Sequence, residues 1–313
     1  MKNNLSNIKK AKNILDHQDC VAVPTETVYG LAANAYSDKG VKKIFKLKKR
    51  PQNNPLIVHY HSINDLMKDC EINSDFLKLF KKFSPGPITY VLNLKKTSKI
   101  STNVTNKKNT LAVRFPKHNL TRKLLKLLKY PLAAPSANIS TKVSSVCYQD
   151  VKEDFGDKIK FILDGGRSQV GVESTIISLV NKPKILRLGG LKALDIENCL
   201  NKKLSLKLNS KKIFSPGQMK LHYSPGIPIR LNVKKPNKNE AYLSLKKKKE
   251  PKDFYYYLSK KGDLKEAAKN LYTTLRKIKK DNFKSLAVEK IKNHGLGKTI
   301  NDRLLRASKF NEQ

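Results

Sequence analysis

The apolar run from Cys20 to Pro24 stops at Thr25-Glu26-Thr27, and a helical pattern and a second apolar run follow at once. A short strand, an amphipathic helix and another short strand in such quick succession commit the chain to an α/β sheet with helices packed on it. The helix expected over about Asp38 to Lys49 has Val41, Ile44, Phe45 and Leu47 as its apolar stripe. It ends in Lys48, Lys49 and Arg50 and is stopped by Pro51. Asn54 and His59 bracket the next strand, Pro55 to Tyr60. Hydroxyls, cations and an imidazole thus collect around one sheet edge, where an anionic ligand can be held beside a second polar substrate.

The same rhythm continues downstream. Strands are expected at Ile88 to Leu94, Thr110 to Phe115, Leu132 to Pro135, Lys160 to Leu163, Ser174 to Val180 and Ile185 to Leu188. Helices are expected at Asn4 to Asp16, Asp75 to Phe83, Leu120 to Leu128 and Asp150 to Phe155. Residues 1–200 therefore read as one α/β domain with a sheet of mixed direction. From Asn201 to Ile227 the pattern dissolves into Lys, Asn, Ser, Pro and Gly, a linker along a surface or between domains. Residues 228–313 read as a second, smaller α/β domain. Its strands are expected at Pro228 to Val233, Ala241 to Leu245, Phe254 to Leu258 and Ser285 to Ile291, and its helices at Asp263 to Lys280 and Thr299 to Lys309.

A length of 313 residues suits two domains, and 39% hydrophobic residues supply a core. No stretch approaches the roughly 20 apolar residues of a membrane span, and Met1-Lys2-Asn3-Asn4 lacks a signal-peptide core. A soluble cytoplasmic protein without membrane contact is expected. Cys20, Cys70, Cys147 and Cys199 show neither Cys-x-x-Cys nor zinc spacing and read as reduced structural thiols. His59 and His61 share one side of a strand, but no third ligand lies near in sequence, so no metal site is expected. A net charge of +40 invites nucleic acid, yet only nine of the 65 basic residues are arginines. Lysine on solvated helix faces explains most of the charge and leaves weak, salt-sensitive attraction to RNA.

Several blocks recur together in one order. Val23-Pro24-Thr25-Glu26-Thr27-Val28-Tyr29-Gly30-Leu31 is followed by Lys48-Lys49-Arg50-Pro51 and Asn54-Pro55-Leu56. Ser84-Pro85-Gly86-Pro87-Ile88-Thr89, Leu111-Ala112-Val113-Arg114-Phe115-Pro116 and Ala133-Ala134-Pro135-Ser136-Ala137-Asn138-Ile139-Ser140 come next, then Asp164-Gly165-Gly166 and Val172-Glu173-Ser174-Thr175. This series resembles the threonylcarbamoyl-adenylate synthase family, the YrdC-like enzymes. Ser215-Pro216-Gly217-Gln218 with His222-Tyr223-Ser224-Pro225 resembles the linker of its two-domain branch. Gly295-Leu296-Gly297 with Asp302-Arg303-Leu304-Leu305-Arg306-Ala307 resembles that branch's C-terminal signature. The resemblance implies a twisted open mixed sheet with a basic concave face, followed by a smaller Rossmann-like α/β domain.

It also implies a reaction: threonylcarbamoyl-adenylate and pyrophosphate are formed from L-threonine, bicarbonate or carbon dioxide, and ATP. The product serves a separate transferase that modifies a tRNA adenosine. Such chemistry needs positioning and charge stabilisation more than a protein nucleophile. Lys48 and Arg50 suit phosphate oxygens, Arg50 as a planar fork and Lys48 as a point charge, although cations also favour a solvated helix end. By resemblance, Lys48, Arg50, Asn54, Thr110, Ser136, Ser144, Arg187 and Tyr223 contact ATP. Thr27, His59, Arg114, Ala134 and Ser174 contact L-threonine. Arg114, emerging from an apolar strand, needs an anionic partner, either the threonine carboxylate or a structural one. Tyr223 belongs to the linker, which either closes over the pocket as a lid or is stapled to the surface by it. Mg2+ is expected with ATP, and no organic cofactor. The expected partners are the substrates, the downstream tRNA threonylcarbamoyl transferase and, weakly, tRNA itself. Ala32, Thr141, Ser145 and Leu188 depart from the family pattern, Thr141 standing where glycine is usual. A noncatalytic RNA-binding module using the basic concave face is the alternative reading.

Overall fold

Two sheets form in the computed structural model, which describes residues 2–206, 221–250 and 252–309. Ser215-Pro216-Gly217-Gln218 lies outside those residues. The larger sheet is built from β1 (Val21–Val23), β2 (Gly30–Asn34), β3 (Ile57–His59), β4 (Ile88–Asn93), β5 (Thr110–Arg114), β6 (Leu132–Ala133), β7 (Thr175–Ser178), β8 (Lys184–Arg187) and β9 (Ser205–Leu206). Their spatial order is β1-β2-β6-β3-β5-β4-β7-β8-β9. The pairs β3/β5, β4/β7 and β8/β9 are parallel and the others antiparallel, so the expected mixed direction is what forms. Around this sheet run α1 (Lys2–Asp16), α2 (Asp38–Lys48), α3 (Ile63–Met67), α4 (Ser74–Phe83), α5 (Thr102–Thr105), α6 (Asn119–Leu127), α7 (Tyr148–Phe155) and α8 (Ala193–Leu200).

Alternation along the central strands decides which face is core and which is site. Val58, Val113, Tyr90 and Ile177 enter the main hydrophobic core, while their neighbours Ile57, Ala112, Val91 and Ile176 form a thin apolar strip on the opposite face. That strip is the floor of the site. Helix α2 seals the core side with Val41, Ile44 and Phe45, is capped by Ser37 accepting from the Gly40 amide, and carries Asp38 in its first turn and Lys46 and Lys48 in its last. Each such apolar side chain, fully buried, contributes roughly 1.5–3 kcal/mol.

Three local expectations change. Lys160 to Leu163 makes a single bridge, Ala22 to Ile162, instead of a strand, because the short β1 turns only the amide and carbonyl of Ala22 toward that side. Gly30–Asn34 forms β2 although Gly and Ala carry little strand propensity. Small residues are required there: a Cβ on Gly30 would stand 3.3 Å from that of Ala134, and one on Gly40 equally close to that of Ala33. Helix α8 also forms within a stretch not expected to be helical, with Ile196 and Leu200 turned into the core.

The smaller sheet has β10 (Ile229–Leu231), β11 (Ala241–Lys246), β12 (Tyr255–Ser259) and β13 (Leu286–Val288) in the order β10-β13-β11-β12, every pair parallel. Helices α9 (Leu264–Lys280) and α10 (Leu296–Ala307) pack on one face of it through Leu271, Leu275, Ile278, Ile300 and Leu304. Val28, Val143, Val146 and Val172 of the larger unit join this second core, so the two units share apolar packing. No described helix is long and apolar enough to cross a membrane.

Candidate functional site

On the floor strip, strand ends from across the large sheet meet a turn of the linker around one cavity. Of the residues singled out in the sequence, Arg50, His59, Arg114, Ala134, Ser136, Ser174, Arg187 and Tyr223 line it. Thr25, Tyr29, Glu173 and His222 line it with them. The register explains the gathering: His59 of β3 lies opposite Arg114 of β5, and Arg114 lies opposite Thr89 of β4. Close backbone approach completes the wall, since a Cβ on Gly189 would come within 2.4 Å of the Glu173 carbonyl oxygen.

Three arginines turn toward this space, each steadied by the protein around it. Arg50 donates from Nε to the Asn54 carbonyl at 3.1 Å and from Nη2 to that of Pro55 at 3.0 Å. Arg187 donates to the Ser174 carbonyl at 3.1 and 2.9 Å and to its hydroxyl at 3.1 Å. The Ser174 hydroxyl also shares a 2.7 Å bond with Thr89. Arg114 reaches Glu26 at 2.7 Å, and the other Glu26 oxygen accepts from the Lys117 amide at 2.9 Å. The Nε of Arg114 has no partner among the described residues. A buried cation with half its fork committed is suited to a second carboxylate.

Glu173 is the hub on the opposite wall. Its carboxylate accepts from Ser144 at 2.6 Å, from Tyr272 of α9 at 2.8 Å and from Arg303 of α10 at 2.9 Å. Burial alone would raise its pKa, but Arg303, Arg187 and these hydrogen bonds outweigh that and hold it down to about 2. Arg303 also donates to the Leu188 carbonyl at 2.7 Å and lies over the Tyr223 ring at 4.7 Å. The smaller domain therefore braces from behind the wall that Glu173 lines.

Neutral rings fill the gaps between these charges. Burial, reinforced by Arg114, drives His59 down to about 3, and burial drives His222 down to about 3 as well. Both are uncharged at neutral pH, and the Nδ1 of each is unpartnered among the described residues. Tyr223 has a φ of 64°, is 1% exposed and stacks on Tyr272 with ring centroids 5.7 Å apart. Its hydroxyl has no partner among the described residues.

Five of the residues singled out stand behind this lining or beyond it. Thr27 is buried and shares a 2.8 Å bond with the Thr25 hydroxyl. Lys48 donates to the carbonyls of Ser136, at 2.6 Å, and Asn138, and so braces the loop carrying Ser136. Burial, then the like charge of Arg50, holds its pKa well below the usual lysine value. Asn54 offers its carbonyl to Arg50, and Ser144 its hydroxyl to Glu173. Thr110 sits at the far end of β5 from Arg114, on the same strand face. Sequence reasoning missed Glu26, Glu173, His222, Tyr272 and Arg303 as site residues. Glu26, Glu173, His222 and Arg303 stand inside the motif blocks that carry the resemblance, and that position was the only available signal.

Fold and site together define a two-domain α/β protein that can hold a polyanion against a small polar partner. Residues 13–189 match the domain family described as "Telomere recombination", and residues 191–309 match "Threonylcarbamoyl-AMP synthase, C-terminal domain". The threonylcarbamoyl-AMP synthase of Pyrococcus abyssi is 37% identical over 97% of this chain and 94% of its own. That of Bacillus subtilis is 33% identical over 96% and 92%. The crystal structure of P. abyssi Sua5 complexed with L-threonine superposes with a TM-score of 0.89 at 34% identity, covering 97% of this chain and 94% of that one. Escherichia coli YciO, at 19% identity and a TM-score of 0.52, shares the fold alone. The chain belongs to the threonylcarbamoyl-AMP synthase family, in its two-domain form.

Proposed function

We propose that this protein is an L-threonylcarbamoyladenylate synthase, joining L-threonine, bicarbonate or carbon dioxide and ATP into threonylcarbamoyl-AMP with release of pyrophosphate. The observation that carries the reading is the convergence of Arg50, Arg114 and Arg187 on one cavity whose nearby carboxylates, Glu26 and Glu173, are already paired with arginines. The surplus of positive charge calls for a polyanion, and a triphosphate supplies it.

The chemistry follows from placement. The unprotonated threonine amine adds to carbon dioxide with loss of a proton, or to bicarbonate with loss of water, and gives a carbamate. A carbamate oxygen then attacks the α-phosphorus, and pyrophosphate leaves. Arg50 and Arg187, with Ser136 and Tyr223, hold the nucleotide side. Asn54 and Ser144 support that wall, Lys48 braces it from behind, and Thr110 extends it along the floor. Arg114 takes the threonine carboxylate with its free edge, while neutral His59, Ser174 and the small Ala134 accommodate the rest, supported by Thr27. A neutral imidazole can accept from the ammonium or hydroxyl of threonine without adding to the positive charge. Mg2+ enters as part of the ATP substrate, carried by phosphate oxygens and water. The product is labile, which makes a consuming transferase acting on tRNA the natural partner. A cytoplasmic setting suits that supply.

Pyrophosphate release by the purified protein tests the reading, with ATP, Mg2+ and bicarbonate, with and without L-threonine. Release that needs both threonine and bicarbonate supports it. Release indifferent to threonine would assign a different carbamoyl substrate.

A further inference from the structure

Among the described residues, no helix packs on one face of the small sheet. Ile229, Leu243, Tyr256 and Leu286 face α9 and α10, whereas the alternate positions Arg230, Tyr242, Tyr255, Tyr257 and Ala287 belong to the opposite side. All-parallel sheets ordinarily have both faces covered. Here the segment after β10 folds over Tyr242, whose hydroxyl donates to the carbonyls of Val233 at 3.2 Å and Lys234 at 3.0 Å. The edge strand β12 leaves Tyr255 and Tyr257 half-exposed, with Phe254 packed edge-on against Tyr255 at 4.9 Å between centroids.

The rim of this face is more basic than the rest of the chain. Residues 228–262 hold eleven Lys and Arg against three Asp and Glu, a net +8 in 35 residues, compared with +40 in 313 overall. Lys246, Lys247, Lys248 and Lys249 lead out of β11. Lys248 and Lys252 stand over the rings of Tyr242 and Phe254 at 5.7 and 5.9 Å. Among the described residues, Lys248 alone of that run has a carboxylate partner, Glu289 at 2.6 Å.

The geometry points to the edge of this face around Tyr255 and Tyr257 as a docking surface for single-stranded RNA. Lysines alone would be a solvated charge run, and the tyrosines alone an ordinary sheet edge. Cations that track phosphates beside aromatic faces that accept bases are what an unpaired strand requires. Tyr255 and Tyr257 are alternate residues of one strand, about 6.6 Å apart, which lets two successive unstacked bases each meet a ring. A duplex hides its base faces, and an acidic protein has no use for the rings. This face is distinct from the cavity on the large sheet. Only the choice of RNA over DNA rests on the proposed function, because that product is destined for tRNA.

The test is fluorescence anisotropy of the full-length protein with a labelled, unstructured RNA roughly 12 nucleotides long. Replacing Tyr255 and Tyr257 together by leucine should weaken binding about tenfold or more at fixed salt, while Tyr255→Phe with Tyr257→Phe should retain it. Lys246→Ala, Lys247→Ala and Lys249→Ala together should flatten the salt dependence by about 0.7 in log–log slope for each phosphate they leave unneutralised. Threonine-dependent pyrophosphate release should stay at wild-type level in all of these variants, which reports an intact fold. Its absence from the wild type would sink the proposed function and leave the RNA result standing. Unchanged RNA binding by the leucine variant, or equal affinity for duplex RNA or polyaspartate, would overturn the surface. Single-stranded DNA binding as tightly as RNA would overturn the RNA assignment.

Discussion

Arg303 of α10 donates to Glu173 of the large domain at 2.9 Å, with both side chains buried and the pair lying against the cavity. This bond ties the small domain to a residue that lines the cavity. Arg303 also pairs with Asp302, so the sharper loss is at Glu173: removing Arg303 leaves that carboxylate buried without its ion-pair partner, a change that costs about 3–5 kcal/mol. Arg303→Met should therefore lower the urea midpoint strongly, and Arg303→Met with Glu173→Gln should recover much of the loss. Failure of the double variant to recover would mean that Arg303 acts mainly through Asp302, Leu188 and Tyr223.

Acid should destabilise the protein in two overlapping windows. His59 and His222 have folded pKa values depressed to about 3 from 6.5, so between those limits the unfolded chain binds protons that the native one does not. Stability then falls with falling pH, by about 1.4 kcal/mol per unit for each histidine. Glu173, depressed to about 2 from 4.5, adds a loss in the same direction as the pH drops through that lower range. Urea midpoints at pH 7, 6 and 5 should decline, more steeply over the second step, and His222→Gln should make the decline shallower. A pH-independent midpoint across that range would show that the histidines are hydrated.

Much of the site could be read in advance because its pieces stand at strand ends, where apolar runs give way to polar residues. Arg114 after Leu111 to Val113 and Arg187 after Ile185 are legible this way. Arginine was also a better guide than total charge: five of the nine arginines are buried, namely Arg50, Arg114, Arg187, Arg303 and Arg306. A fork of donors can be satisfied inside a protein where an ammonium seldom is. Lys48 shows the limit of such reading, since a cation beside Arg50 could serve phosphate or carbonyls, and only the fold shows it on Ser136 and Asn138. Glu26 and Glu173 were hidden for the same reason. Their partners come from residues 88 and 130 positions away, which no local pattern reveals. Strand β2 escaped because its small residues answer to neighbours in space and not to propensity.

Thr141 has a φ of 71°, in the left-handed region where a β-branched residue is strained by roughly 1–2 kcal/mol. Its carbonyl accepts from the Ser224 amide at 2.9 Å and so anchors the linker next to Tyr223. Thr141→Gly relieves the strain but adds unfolded-state entropy of about 0.5–1 kcal/mol. A net rise in melting temperature of about 2–4 °C is expected. A fall would show that the threonine side chain makes a compensating contact in the loop.

Tyr223 allows anchoring to be tested apart from the proposed ligand contact within one side chain. Its ring is held by Tyr272 and Arg303, whereas its hydroxyl bonds to nothing among the described residues. Tyr223→Phe should leave the melting temperature unchanged and raise the KM for ATP about tenfold or more, the loss of a hydrogen bond to a charged group. Tyr223→Ala should cost about 3–5 kcal/mol of stability as well. A phenylalanine variant with unaltered KM would reduce Tyr223 to a staple for the linker.

The Arg114–Glu26 pair decides whether Arg114 is a clamp or a structural ion. Its 2.7 Å bond to Glu26 satisfies the structural reading, while its unpartnered Nε leaves an edge for a substrate carboxylate. Arg114→Ala cannot distinguish them alone, because stranding Glu26 costs about 3–5 kcal/mol and depresses activity through misfolding. Arg114→Met with Glu26→Gln removes both charges and should restore most of the stability. If Arg114 also holds threonine, that stable double variant still has a KM for L-threonine raised about tenfold or more with the KM for ATP little changed, since a charge-assisted bidentate contact is gone. If the double variant recovered both stability and its affinity for threonine, the salt bridge would be the whole role of Arg114, and the carboxylate would have to be sought at Ser174 and the backbone around Ala134.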